Sequence, residues 1–146
     1  MLLTQLMKTK VVSRETAEKI GDVRNVLVDV ASRRITVVQV GKGRKGRLAD
    51  WDDVAVGPDA VVVSSEAALH EPRSESEARV LGGDVTLLDA RVLTDHGDAL
   101  GTVSDVELDE ASGAVTALTV DSRSVDTDRL LAVGTYAVVV RGDAGG

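Results

Sequence analysis

The densest group of charged side chains in the sequence lies between residues 42 and 47. Four cations occur there within six positions, interspersed with glycines: Lys42, Arg44, Lys45 and Arg47. Closely spaced ammonium and guanidinium groups are suited to contact phosphates or the carboxylates of an acidic protein. The pattern therefore has three interpretations: a solvated hairpin tip, a site for an acidic protein partner (a second copy of this chain included), and an RNA contact.

RNA is the least favoured of the three, because bases stack on aromatic side chains and only Trp51 lies near the segment. Trp51 and Tyr136 are the only aromatic residues of the chain, which has no Phe. Both are expected to fill a core or to close the end of a barrel. Amphipathic aromatic residues also favour interfaces, so a subunit contact is the second interpretation of Trp51. The candidate partner-binding residues are Lys42, Arg44, Lys45, Arg47 and Trp51.

Catalytic and metal-binding patterns are absent from the sequence. The carboxylates Asp50, Asp52 and Asp53 are close in sequence, but adjacent strand residues point to opposite faces, so a solvated turn is the favoured interpretation. The two histidines, His70 and His96, are too few for a histidine metal site, and the chain has no cysteine. No nucleophile–base spacing and no phosphate-binding loop is found. The sequence therefore predicts no enzyme, no metal and no cofactor.

The sequence contains one small unit twice. An offset of 80 residues places Val23 on Val103, Val26 on Val106 and Val38 on Leu118, and an offset of 77 places residues 60–63 on 137–140. The alignment offset between the two units changes only once, within a loop. Such a constant offset indicates duplication of the unit rather than a merely similar composition.

Strand patterns dominate both units. The chain contains 26 valines, and valine fits the pleated surface of a sheet. Residues 20–30 and 100–109 alternate between apolar and polar side chains, and each run is followed by a turn and an apolar return strand. Several short strands with regular turn signals predict a small barrel or sandwich. Only residues 74–81 are expected to form a helical turn or two.

The residues that recur in both units resemble the PRC-barrel domain, a β-barrel named after the photosynthetic reaction centre H subunit. The same fold forms the C-terminal half of a bacterial ribosome-maturation factor. The pattern begins with Ile20-Gly21-Asp22-Val23 in the first unit and Leu100-Gly101-Thr102-Val103 in the second, and each run continues to an Asp. The family's tryptophan element occurs once, as Trp51-Asp52-Asp53-Val54, and at the aligned place the second unit departs from it with Asp128-Arg129-Leu130-Leu131. The resemblance implies two tandem antiparallel β-barrels with pseudo-two-fold symmetry, and an interaction module rather than a catalyst.

Together these patterns divide the chain into a first barrel at residues 1–63, a linker at 64–85, a second barrel at 86–141 and a tail at 142–146. Residues 1–73 hold 12 cations and 10 carboxylates, whereas residues 74–146 hold 5 and 14. The acidic second half disfavours binding to nucleic acid or to anionic membranes.

No segment is apolar enough for a signal peptide or a membrane span. We therefore expect a cytoplasmic, non-catalytic scaffold or adaptor without membrane insertion. Its partner is a protein of unknown identity, and a homodimer is among the arrangements that the sequence allows. The alternative function is an RNA- or ribosome-associated assembly factor that uses the basic residues 42–47.

Overall fold

A computed structural model gives the fold of the chain and describes residues 1–142; the predicted tail lies outside the described residues from 143 onward. The two α-helices are α1 (Leu3–Leu6) and α2 (Glu75–Leu81). The strands of the first repeat are β1 (Lys10–Ser13), β2 (Lys19–Asp29), β3 (Arg34–Val40), β4 (Arg47–Asp50), β5 (Val54–Val56) and β6 (Val61–Val63). Those of the second are β7 (Arg91–Thr94), β8 (Ala99–Leu108), β9 (Val115–Val120), β10 (Arg123–Asp126), β11 (Leu130–Val133) and β12 (Val138–Val140).

The two repeats have the same sheet topology. The strand order is β4-β3-β2-β1-β6-β5 in the first barrel and β10-β9-β8-β7-β12-β11 in the second. Neighbouring strands are antiparallel except for β1 with β6 and β7 with β12, which are parallel. The register shifts between β2 and β3 recur 80 residues later between β8 and β9. The prediction of two tandem barrels built mainly from strands is confirmed.

The strand register corrects the predicted match to the tryptophan element by one residue. Asp50 pairs with Val37 on β3, and Asp126 pairs with Ala117, the equivalent position on β9. Thr127, and not Asp128, is therefore the counterpart of Trp51. The turn between β9 and β10 has four residues fewer than the segment between β3 and β4. One extra residue then enters at the irregularity between Leu130 and Ala132, which restores the offset of 77.

One apolar core runs through both barrels. Its buried members come from each repeat and include Leu3, Val38, Trp51, Val103 and Leu118. A repeat of this size buries only a modest share of its surface when it is isolated. The shared core therefore means that each barrel completes the burial of the other.

The predicted linker contains a packed helix. Ser74 precedes α2, and its hydroxyl accepts a hydrogen bond from the Glu77 amide at 3.1 Å, which satisfies one of the free N–H groups of the first turn. Leu81 at the end of α2 packs with Leu27, Val37 and Leu48 on the outer face of the first barrel. Part of the linker is therefore an integral cover of the first barrel.

Each barrel also holds the segment that precedes the other barrel. We call residues 1–9 the first lead segment and residues 82–90 the second. The carboxylate of Asp105 on β8 accepts hydrogen bonds from the Thr4 amide at 3.1 Å and the Thr4 hydroxyl at 2.7 Å. Its counterpart on β2, Asn25, donates to the carbonyl oxygens of Val80 and Val85 at 3.1 and 2.8 Å. This reciprocal exchange gives the two barrels their pseudo-two-fold relation.

The tips of the β2–β3 and β8–β9 hairpins meet at the pseudo-two-fold axis. The Ile35 amide donates to Gly113 O, and the Val115 amide donates to Arg33 O, each at 2.8 Å. Gly113 has a φ angle of +78° and Arg33 has one of +53°, so both turns use the left-handed region at the same position. The two hairpin turns have therefore kept one backbone geometry despite their different residues.

Candidate functional site

The basic segment 42–47 forms a closed turn at one end of β4. A 3₁₀ helical turn at Gly43–Lys45 is followed by a hydrogen bond from the Gly46 amide to Gly43 O at 3.0 Å. The buried amide of Gln39 donates to Gly41 O at 3.0 Å and to Gly43 O at 3.4 Å. A Cβ at residue 46 would lie 2.6 Å from Gly41 O, so glycine is needed there for the close approach of the backbone. The glycines at positions 41, 43 and 46 predict a flexible loop, whereas the structure shows a compact turn that Gln39 holds in place.

The cations of this turn face solvent. Lys42, Lys45 and Arg47 are exposed, and among the described side chains none of the three has a carboxylate within ion-pair distance. The side chain of Arg44 lies outside what the structure describes. The turn therefore presents cations whose charge is not neutralised by the neighbouring described residues.

Trp51 lies at the other end of β4 and is buried. Its side chain is 3% exposed and belongs to the shared core. Across the axis it faces Gly113, where an added Cβ would lie 2.9 Å from the indole Nε1. The structure therefore places Trp51 at the contact between the two barrels and does not bring it to the basic turn. On the described surface of that turn, no aromatic platform accompanies the cations.

Tyr136 corrects the expectation that both aromatic residues fill the core. It is 70% exposed, and its hydroxyl accepts a hydrogen bond from the Arg91 guanidinium at 2.6 Å. The same guanidinium lies 4.9 Å from the centre of the ring. A cation over an aromatic face is stabilising at a solvated surface, and this pairing accounts for the exposed position of the ring.

The carboxylate of Asp50 belongs to a polar cluster that attaches the linker to β4. One of its oxygens lies 2.9 Å from His70 Nε2, and the other accepts a hydrogen bond from Arg73 at 3.2 Å. His70 Nδ1 lies 2.7 Å from Glu71 O and 3.8 Å from a carboxylate oxygen of Glu77. Both close partners of the ring, the Glu71 carbonyl and the Asp50 carboxylate, are oxygen atoms, so each ring nitrogen faces one of them. The cluster therefore has a structural role, which is to hold the linker against β4.

Among the residues that the structure describes, the remaining acidic side chains do not converge on a ligand site. Asp52 and Asp53 are exposed, and Asp52 accepts from the Arg34 guanidinium at 3.2 Å. Within residues 1–142 no group of three or more His, Cys, Asp or Glu side chains is arranged to hold a metal ion. No helix in the described part of the chain is long and apolar enough to cross a membrane.

Two aspartates have lowered pKa values, each because a donor stabilises the charged form. The Ser32 hydroxyl, which donates to Asp29 at 2.6 Å, holds the pKa of that carboxyl below its usual value. The Gly142 amide, which donates to Asp95 at 2.9 Å, lowers the pKa of Asp95. Both contacts lie in turns and stabilise the ionised carboxylates there.

A cleft between the two lead segments was not foreseen from the sequence. It has a volume of about 560 Å³ and is lined by residues 3, 4, 7 and 8 of the first lead segment, residues 86–89 of the second and the β2 residues 24–26. Met7-Lys8 and Leu88-Asp89 occupy equivalent places in the two lead segments, since the Lys8 amide donates to Val23 O and the Asp89 amide donates to Val103 O. The offset of 80 found in the sequence does not align these two pairs, so it gave no signal for the cleft. Each pair joins an apolar side chain to a charged one.

Comparison with known proteins identifies the domain type. A family model described as the PRC-barrel domain matches residues 1–70 and again residues 83–145. No curated protein matches the sequence. The two matched segments together cover most of the chain, and each begins within or next to one of the lead segments.

Proposed function

Because the chain belongs to the PRC-barrel family, with one copy of the domain in each half, we propose that it is a non-catalytic, cytoplasmic scaffold or adaptor that binds a protein partner. The partner presents an acidic surface to the basic turn at residues 42–47. The observation that carries this proposal is the exposure of Lys42, Lys45 and Arg47 without a neighbouring described carboxylate.

The shape of the turn supports binding. Gln39 and the close contact of Gly41 with Gly46 hold the backbone in one conformation before any partner arrives. A preordered surface loses less conformational entropy on association than a mobile one. Complementary charge then accelerates encounter and selects acidic partners over basic ones.

A second copy of the chain is one such partner. The second half of the sequence carries 14 carboxylates and 5 cations, and the first half carries the basic turn. Contact between the basic turn of one copy and the acidic barrel of another is head to tail. Such association weakens as salt is added, because contacts between exposed charges are screened.

RNA is the second candidate function, and the exposed cations favour it. The stacking surfaces used by proteins that bind single strands are missing from the described face of the turn, since Trp51 is buried. A gel shift with RNA separates the two functions, because only the RNA function predicts a shifted band, and that band should weaken steeply as salt is added.

The test compares three proteins in an affinity capture from the source lysate, quantified by mass spectrometry. The loop variant carries Lys42→Ser, Arg44→Ser, Lys45→Ser and Arg47→Ser. The control variant loses the same number of positive charges through Lys10→Ser, Arg14→Ser, Lys19→Ser and Arg79→Ser. We expect the loop variant to lose about tenfold of its captured partner while the control retains it.

Both variants are expected to unfold within about 0.5 kcal/mol of the parent, because the altered side chains that the structure describes lie on the surface. Equal capture by all three proteins would contradict the proposal. Loss of the captured partner after ribonuclease treatment would instead favour the RNA function. Sedimentation of the purified chain at low and high salt tests whether the partner is a second copy.

A further inference from the structure

The cleft between the lead segments has the size of a small-molecule site. Its volume of about 560 Å³ lies within the range of roughly 300–1,000 Å³ typical of ligand pockets. It is formed where the first lead segment, the second lead segment and β2 meet. Because both lead segments contribute, the cleft exists only when the two barrels are joined.

Apolar side chains form the body of the cleft. Leu3, Val26 and Leu87 are buried at its base, while Met7 and Leu88 are half-buried on its walls. Met7 and Leu88 pack against the shared core from the outside. Methionine is unbranched and flexible, so one wall can adjust to the shape of an apolar guest.

The polar groups of the cleft are mainly cationic. Lys8 is exposed at the rim, and the half-buried guanidinium of Arg24 lines the cleft. The guanidinium of Arg24 contacts Asp22 only through Nη2, and that contact is long, at 3.5 Å. Arg24 therefore retains donor capacity for an anion. Asp89, the one carboxylate lining the cleft, is exposed on the wall formed by the second lead segment.

The neighbouring Asn25 has no such capacity. Its amide nitrogen donates to Val80 O and Val85 O, and its oxygen accepts from the Val26 amide at 2.9 Å. Asn25 holds the second lead segment in place, so it shapes the cleft without being free to bind a guest. The polar selectivity of the cleft therefore depends on Arg24 and Lys8.

The backbone at the rim is held in an uncommon conformation in both lead segments. Lys8 has a φ angle of +69° and Asp89 has one of +66°. A non-glycine residue in the left-handed region is strained. The Lys8 amide donates to Val23 O and the Asp89 amide donates to Val103 O, each at 2.8 Å. These hydrogen bonds to β2 and β8 fix the two rim residues where the cleft opens, and strained residues of this kind cluster at ligand sites.

The cationic side of the cleft continues toward the basic turn. A second cavity of about 200 Å³ shares Arg24, Asn25 and Thr86 with the cleft and is bounded by Lys42 and Gly43. Arg24 thus lies between the two spaces, with Lys8 on one side and Lys42 on the other. An anionic group at Arg24 is attracted by all three cations.

We propose that the cleft binds a small amphipathic anion, namely a free carboxylate or sulfonate with an apolar body. The apolar body lies between Met7 and Leu88, and the anionic head contacts Arg24 and Lys8. The opposing carboxylate of Asp89 sets the orientation, because it repels the head from the second lead segment. The proposal does not depend on the partner of the basic turn, since it concerns the isolated chain.

The test uses 1-anilinonaphthalene-8-sulfonate as a fluorescent probe with the full chain. We expect saturable binding of one probe molecule per chain. Arg24→Gln should weaken binding about tenfold, whereas Arg14→Gln, a change of the same type at an exposed site outside the cleft, should leave it unchanged. Thr86→Trp, which fills the mouth of the cleft, should abolish binding, and Ser76→Trp on the surface of α2 should not.

Competition defines the chemical class of the guest. Dodecanoate should displace the probe at least about tenfold more effectively than dodecanol, and dodecyltrimethylammonium should not displace it. A melting experiment on each variant without probe confirms that it is folded. The Arg24→Gln comparison remains decisive if Thr86→Trp fails to fold, because Arg24 is partly exposed and only weakly paired.

Non-saturable binding, equal affinity of Arg24→Gln and the parent, or equal competition by dodecanol and dodecanoate would each overturn the proposal. A vesicle flotation experiment distinguishes binding of a free ligand from binding of a lipid head group. If the chain floats with anionic vesicles and Arg24→Gln floats less, the cations of the cleft bind a membrane surface. That result would also overturn the proposal of a free ligand.

Discussion

The two barrels share their inner faces and differ on their outer faces. The first barrel carries Leu27, Val37 and Leu48 on the outside, and Leu81 of α2 covers them. At the equivalent positions the second barrel carries Glu107, Ala117 and Ser124, and both Glu107 and Ser124 are exposed. The apolar residues that recur on the inner faces therefore specify the barrel fold. The residues on each outer face are apolar or polar according to whether another segment covers that face.

The strand edges differ in the same way. Leu48 on β4 exchanges two backbone hydrogen bonds with His70, at 2.9 and 2.8 Å. Ser124 on β10 has the same place in the ladder, and within the described residues no segment bridges to it. An open edge with polar side chains resists unwanted strand pairing, which an open apolar edge would invite.

The contacts at the pseudo-two-fold axis show a second difference between the barrels: a large residue in one barrel faces a small residue in the other. Trp51 of the first barrel faces Gly113 of the second. In the reverse contact, Arg33 of the first barrel extends to Asp128, beside the smaller Thr127. A symmetric pair of tryptophans would leave no room for Arg33, so the two changes are complementary.

The outer faces provide the prediction with the largest effect. Leu48→Ser leaves a cavity under α2 and places a hydroxyl in an apolar cluster, and we expect a loss of about 3 to 5 kcal/mol in the free energy of unfolding. The reciprocal Ser124→Leu should change stability by no more than about 0.5 kcal/mol. Urea melts measure both, and a similar loss in the two variants would contradict the difference between the outer faces.

The contact at the axis provides the second prediction. Gly113→Ala adds a Cβ that would lie 2.9 Å from Ile35 O, and the residue keeps a φ angle of +78°. We expect a cost of about 2 to 4 kcal/mol, from backbone strain together with overpacking against Trp51. Gly97→Ala is the matched control, because φ there is +87° but no atom lies within 4 Å of the added carbon.

The control should cost only about 1 kcal/mol, from the φ angle alone. Equal losses for the two glycine variants in thermal melts would show that Trp51 does not constrain residue 113.

Arg33→Gly should have a much smaller effect. Glycine relieves the positive φ angle of +53° but removes the hydrogen bond from Arg33 to Asp128 O at 3.3 Å, and it adds entropy to the unfolded chain. These effects oppose one another, so we expect a net change within about 0.5 kcal/mol. A stabilisation well above that in denaturant melts would mean that the contact with Asp128 contributes nothing.

The smallest expected effect concerns Asp29 in the first hairpin turn. Its pKa is lowered in the folded state by the Ser32 hydroxyl, so its contribution to stability is present above the usual value of 3.8 and is lost as the pH falls through the lower folded value. Ser32→Ala should move the pKa of Asp29 upward and reduce that loss. Carboxyl NMR titration measures the shift, with Asp95 as the internal reference; an unchanged pKa of Asp29 would refute the assigned cause.

Much of the fold was predictable because it depends on local periodicity. Valine-rich alternation in residues 20–30 and 100–109 identifies strands with one buried face, and the recurrence at an offset of 80 identifies two barrels. The match at the tryptophan element was one residue off. The short turn at residues 121–122 lowers the offset by four and the irregularity near Leu131 raises it by one, and neither has a clear sequence pattern.

The candidate site was predictable only in part. The charge run at residues 42–47 is visible in the sequence, but its closed conformation depends on the buried amide of Gln39. The position of Trp51 at the axis and the exposure of Tyr136 were not predictable. Burial is predicted from the regular spacing of several apolar residues, and a single aromatic residue provides no such spacing. The cleft was missed because its walls come from segments about 80 residues apart.

By itself, then, the sequence determined which side chains of each strand face inward, where the chain turns and that the unit occurs twice. These properties arise from neighbours along the chain, whose alternation and turn residues are directly readable. Only the tertiary structure decided that the lead segments are exchanged between barrels, that Trp51 meets Gly113 and that a cleft opens beside Arg24. Those contacts join residues far apart in the chain, and such pairings leave no periodic signal in either partner.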